Sequence, residues 1–213
     1  MTDLRFTVLD ARADADAAAP GLLFRLRIQA APDHPVHAIL LRCLVQIEPR
    51  RRRHAAAEQE SLQDLFGEPA RWRDTLKALV WARTQFSVTA FEGSTEVDLP
   101  LACTYDFEVA AAKYLNALED GEVPLLFLFS GTVFVKTATG FQVEQISWDK
   151  EAAYRMPVRI WRDAMDAHFP GCAWIRVRKE SLDALQRFRA RNGCVSWDDA
   201  IEALVGQREA AAR

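Results

Sequence analysis

Between Glu96 and Leu101 the chain alternates strictly, with Val97, Leu99 and Leu101 on one side and Glu96, Asp98 and Pro100 on the other. That is the period of a strand with one dry face. Phe107, Ala110, Ala111, Tyr114, Leu115 and Leu118 then recur at steps of three and four, which predicts a helix capped by Asp106 and stopped at Gly121. Leu125 to Val135 is almost wholly apolar, a run whose length suits a central strand covered on both faces rather than a membrane span. Earlier in the chain Leu4, Phe6 and Val8 share one face, as do Leu22, Phe24, Leu26 and Ile28 after a turn at Pro20 and Gly21. Ile39, Leu41, Cys43, Val45 and Ile47 continue the alternation beyond the Pro32 to Pro35 turn, with Arg42, Gln46 and Glu48 opposite.

Pro49 and the run Arg50 to Arg53 end that strand, and two helical stretches follow as an insertion. One ends at Gly67, and the other opens with Pro69 and carries Trp72, Leu76 and Leu79. Trp81 to Phe91 returns to strand. Ala138, Thr139 and Gly140 read as a hairpin turn joining the apolar run to Phe141 to Trp148, and Tyr154 to Val158 adds an edge. About eight strands in largely antiparallel order predict an α+β chain: a β-sandwich-like domain over 1–158 with inserted helices near 55–80. From 159 to 205 the order becomes helix, strand, helix, helix, a C-terminal cap, and 206–213 reads as a frayed tail. The alanine-rich Ala11 to Ala19 reads as a loop.

The 213 residues, half of them hydrophobic, are enough for a sizeable core without disulfides. Cys43, Cys103, Cys172 and Cys194 form no CxxC pair, so no zinc or iron-sulfur motif is written locally. The strand-like opening with Asp3 and Asp10 is not a signal peptide, and the cytoplasm is the expected compartment, without membrane insertion.

FRLRIQ, PVHAILLRC, DLFGEP, the stretch from Gly93 to Val135 and the closing SWDDAIEAL together resemble a family of uncharacterised bacterial proteins whose genes lie in nickel-iron uptake hydrogenase clusters. The resemblance runs from about Phe6 to Leu204. It implies no activity and no functional residues, only a link to that enzyme's subunits or maturation proteins.

No catalytic constellation stands out. His168 and Cys172 lie near Asp163 and Asp166, yet a histidine at a helix C-terminus and aspartates on a solvated helix face account for them without a metal. Cys43 falls in the inward phase of its strand, Cys103 has no histidine nearby in sequence, and His34, His37 and His54 form neither HxH nor HExxH. Glu96 and Asp98 share a strand face, where charges ordinarily sit in water. There is no GxGxxG and no GxxxxGK, so neither cofactor nor catalytic residue is assigned.

Binding is the expected role. Arg50, Arg51, Arg52 and Arg53, with Arg42, can form a patch for an acidic protein surface; no aromatic ladder accompanies them to stack bases. Among six tryptophans, Trp161 and Trp174, beside Arg162 and Arg176, are the candidate interface anchors. The segment from Trp174 to Leu204 also resembles the strand, helix, helix order of ribbon-helix-helix DNA-binding modules, with Arg176 outward. Against that, Asp198 and Asp199 follow Ser196 at the second helix, where such modules bind phosphate, and the net charge is -3. The expectation is therefore a non-enzymatic accessory or assembly factor; the alternatives are a DNA-binding regulator and an enzyme whose site is assembled from distant residues.

Overall fold

A computed structural model describes residues 2–31, 35–103, 109–137, 140–172 and 177–211. It is an α+β protein in which two antiparallel sheets face each other. Strands β1 (Arg5–Ala13), β2 (Gly21–Gln29) and β5 (Ser94–Ala102) form the smaller sheet in the order β1-β2-β5. The larger sheet runs β4 (Leu79–Val88), β3 (Val36–Ile47), β6 (Glu122–Thr137), β7 (Gly140–Gln145), and β8 (Glu151–Pro157) also pairs with β6.

Alternation decides which side chains meet between the sheets. Leu22, Phe24, Leu26 and Ile28 of β2 are fully buried, as are Ile39, Leu41, Val45 and Ile47 of β3. Phe6 stacks on Phe129 with ring centroids 4.2 Å apart, and Phe24 meets Phe127 edge to face at 5.0 Å. Each aromatic pair joins one sheet to the other. Cys43 is part of this core, and burial pushes its thiol up to about 12, which makes it inert.

The structure corrects two readings of the sequence. β6 is fully covered on one face only: Leu125, Phe127, Phe129, Val133 and Val135 are buried, whereas Leu126, Leu128 and Phe134 on the other face are only partly buried. Its continuous apolar run thus exceeds what the sandwich needs. β1 continues to Ala13, because a bulge between Val8 and Asp10 turns Ala11 inward opposite Phe24. Helix extends to Ala211, consistent with the helix-favouring Gln207, Arg208, Ala210 and Ala211.

The insertion between β3 and β4 is a 3-10 turn (Pro49–Arg51), α1 (Ala56–Ser61), α2 (Gln63–Phe66), a second 3-10 turn (Pro69–Arg71) and α3 (Trp72–Thr75). Helix α4 (Ala110–Ala117) buries Ala111, Ala112, Tyr114 and Leu115, while its expected cap Asp106 lies outside the described residues. Helix α5 (Val158–His168) buries Val158, Trp161, Ala164 and Met165 and packs on β1, β2 and β8. The chain divides into compact units Met1–Trp174 and Ile175–Arg213, so α5 belongs to the sandwich and the division falls later than residue 158. The second unit holds α6 (Lys179–Asn192) and α7 (Trp197–Ala211), with Arg189 over the Trp197 ring at 4.3 Å.

Gly131 lies where β6 passes from pairing with β8 to pairing with β7, and its φ of 141° is a backbone state that L side chains avoid. A Cβ there would sit 2.1 Å from the Leu40 carbonyl oxygen, a backbone atom with no freedom to withdraw. Gly131→Ala is therefore expected to cost roughly 3 kcal/mol or more, read as a lowered urea midpoint; an unchanged midpoint would show that β6 does not approach β3 this closely.

Candidate functional site

The outer faces of the two sheets differ in kind. On the smaller sheet Arg12 and Arg25 pair with Asp98 at 3.0 and 3.3 Å, and Arg27 pairs with Glu96 at 2.8 Å. The two carboxylates are thus neutralised on a solvated surface. On the larger sheet the register sets Leu40 beside Thr132, Leu44 beside Leu128, Gln46 beside Leu126 and Phe134 beside Val143. Leu40, Val80, Val143 and Phe141 are 44%, 50%, 58% and 59% exposed. Arg42, Leu44, Arg83, Gln85 and Ser130 line a shallow depression of about 370 Å³ in this face. Among the described residues no carboxylate pairs with Arg42 or Arg83. An apolar face with aromatic and arginine side chains and few carboxylates has the composition of an interface core.

The arginine run separates into different roles. Arg51 lies in the solvent and pairs with Glu48 at 2.9 Å. Arg52 turns inward: its side chain is 9% exposed and contacts Glu58, 2% exposed, at 2.5 Å. It also donates to the carbonyls of Asp120 and Glu122 at 3.1 Å. Glu58 accepts the amides of Ala55 and Glu119, both at 3.0 Å. Burial pushes the Glu58 carboxyl up, but these two amides and Arg52 outweigh it and hold it below its ordinary value. This clasp ties the start of the insertion to the loop between α4 and β6. Arg53 is exposed, and Arg50 donates to the Arg73 carbonyl.

Beside the clasp, Pro49, Arg50, Arg52, His54, Trp72, Arg73 and Leu76 line an open cleft of about 390 Å³. His54 shares a 3.0 Å hydrogen bond with the buried Tyr114 hydroxyl and meets the Trp72 ring edge to face at 5.3 Å. Burial, and secondarily Arg52, lowers the His54 pKa, with Glu58 opposing.

The remaining candidates disperse. Trp161, proposed above as an interface anchor, is 1% exposed, bonds Asn116 at 3.1 Å and meets Trp81 edge to face, so it presents no surface to a partner. Trp148, in the loop between β7 and β8 and not singled out by its sequence context, is 92% exposed. Trp174 and Arg176 lie outside the described residues, as does most of the strand on which the DNA-binding alternative rests. Both ring nitrogens of His168 face carbonyl oxygens, of Ala164 at 3.1 Å and Ala17 at 2.9 Å, while Asp163, Asp166 and Cys172 are exposed. Among the described residues no group of three or more His, Cys, Asp or Glu is placed to hold a metal. Burial pushes the Cys103 thiol up to about 12, far from a nucleophile's range. Among the same residues no helix is long and apolar enough to cross a membrane.

Two outcomes test the clasp. Arg52→Met or Glu58→Gln alone is expected to cost about 3–5 kcal/mol by urea unfolding, and the double variant Arg52→Met/Glu58→Met less than the sum, because it leaves no orphaned buried charge. The pH dependence follows from signs. A histidine with a lowered folded pKa takes up its proton more readily when unfolded, so stability declines as pH falls below the ordinary value of 6.5, and Glu58 adds a second loss as pH falls below about 4.5. NMR titration should place the His54 midpoint below 6.5; a midpoint above it would contradict the burial described.

No curated protein matches the chain. Among solved structures it is similar to a protein described as late embryogenesis abundant (LEA), at 10% identity and a TM-score of 0.32 over 73% of this chain and 72% of that one. It is similar also to β-glucosidases from Kluyveromyces marxianus (8%, TM-score 0.26) and Thermotoga neapolitana (12%, TM-score 0.25), of which it spans 15% and 17%. Likenesses of this size carry no inference about fold or activity. The family comparison is of another order: its model spans the whole chain, and over residues 1–213 the protein belongs to a family of unknown function (DUF6084).

Proposed function

We propose that the protein is a non-catalytic accessory or assembly factor that works through protein contacts in the cytoplasm. The observation that supports this reading is the outer face of the larger sheet, where Leu40, Val80, Phe141 and Val143 stand exposed around the half-buried Leu44, Leu126, Leu128 and Phe134. A strand apolar on both faces asks for cover on both. The fitting partner has an apolar surface with carboxylates placed to meet Arg42 and Arg83, since a guanidinium is well suited to a desolvated ion pair.

The partner we propose is a subunit or maturation protein of a nickel-iron uptake hydrogenase. This rests on the resemblance of FRLRIQ, PVHAILLRC, DLFGEP and SWDDAIEAL to proteins encoded beside that enzyme. The DNA-binding alternative is disfavoured by the first turn of α7, where Asp199 accepts the amides of Val195 and Ser196 at 3.0 and 2.8 Å and so places a negative charge where a phosphate would bind.

The chain, tagged at its chromosomal locus under hydrogenase-inducing conditions, is expected to co-purify with hydrogenase subunits or maturation proteins. Leu40→Asp/Val143→Asp should abolish that recovery while the variant still folds, read as an unchanged circular dichroism spectrum, because the two side chains are 44% and 58% exposed. Recovery of DNA, of no hydrogenase protein, or of the same proteins with the variant would overturn the reading.

A further inference from the structure

We propose that the cleft between the first 3-10 turn and α3 is a second binding site, for an acidic peptide segment of a partner protein. Carboxylates would engage Arg50 and Arg73, with an adjacent apolar side chain against Trp72 and Leu76. The inference does not depend on the apolar sheet face.

The cleft combines a cationic wall with an apolar lining on a protein of net charge -3. Its walls carry three arginines and no carboxylate, and its apolar lining is Pro49, Trp72 and Leu76. Arg52 is spent inside the fold on Glu58 and two carbonyls, so it holds the wall without being a free donor. Arg50 and Arg73 are exposed and, among the described residues, have no carboxylate partner. Their chain segments are joined by the bond from Arg50 to the Arg73 carbonyl, so both cations belong to one preformed rim. His54 is turned to Tyr114 and packs its ring edge to face with Trp72, which adds apolar surface to the wall.

That arrangement suits an extended segment better than a free phosphate. Phosphate sites usually gather backbone amides at a helix N-terminus or a nest. The charged donors here are guanidinium groups beside an apolar, open cleft, which matches carboxylates separated by an apolar residue. A locally positive cleft on an acidic protein also steers acidic segments toward it.

The test uses the full chain and fluorescence anisotropy with two labelled peptides, one alternating glutamate and leucine, the other glutamate and serine. The glutamate-leucine peptide is expected to bind more tightly, to weaken with added salt, and to lose roughly tenfold or more in affinity with Arg50→Glu/Arg73→Glu. Arg73→Glu alone, which leaves the Arg50 bond to the Arg73 carbonyl in place, should also weaken binding with an unchanged circular dichroism melt, which separates this loss from unfolding. Leu40→Asp/Val143→Asp should leave peptide binding intact, which keeps failure here distinct from failure of the sheet-face reading. Equal binding by the charge-reversed variant, no binding, equal affinity for the two peptides, or full competition by millimolar inorganic phosphate would each overturn the proposal.

Discussion

The aromatic contacts between the sheets are the constraint on which the other features rest. Phe6 on Phe129 and Phe24 on Phe127 set which face of β6 looks inward. A one-residue slip would exchange that face for Leu126, Leu128 and Ser130, so the register of β6 against β3 and β8 cannot drift without losing the core. Gly131 then permits the close passage past Leu40 that this register demands. Trp81 and Tyr154 extend the cluster around Phe24, and Trp81 in turn meets Trp161 of α5, so one connected set of rings couples both sheets to the helix.

Fixing the inner face also decides what remains outside. The smaller sheet surrounds its carboxylates with arginines and leaves a solvated surface. The larger sheet shows leucine, valine and phenylalanine, with Arg42 and Arg83 not offset by an acid among the described residues. Exposing such a surface to water costs free energy, which association relieves. Two sheets of one sandwich are therefore suited to different environments, and the asymmetry supports a role in binding.

The insertion shows how a charged run can serve structure and surface at once. Arg52 and Glu58 are buried together, and backbone groups from both sides of the clasp bond the pair. Burial of an ion pair adds little net stability, but it fixes geometry strongly because either partner alone is costly. His54 and Trp72 are held beside that fixed point, and Arg50 and Arg73 stand exposed at its rim, with Arg50 bonded to the Arg73 carbonyl.

The strands were legible from the chain because a side-chain period of two is a local property. Val97, Leu99 and Leu101, or Ile39 to Ile47, announce their inner faces without reference to any neighbour. The α+β class and sandwich-like architecture follow from counting such segments. Local pattern could not decide whether the second apolar face of β6 is covered within the fold, because covering depends on elements distant in sequence. Nor could it separate Arg52 from Arg50, Arg51 and Arg53: four adjacent arginines look alike until folding brings Glu58 and the carbonyls of Asp120 and Glu122 to one of them. Trp161 likewise reads as an anchor beside Arg162 until α5 lays it against Trp81. Periodicity determined which residues turn inward, and only the tertiary structure decided which of the remainder meet one another and which stay in water, since long-range contact is set by the packing of whole sheets.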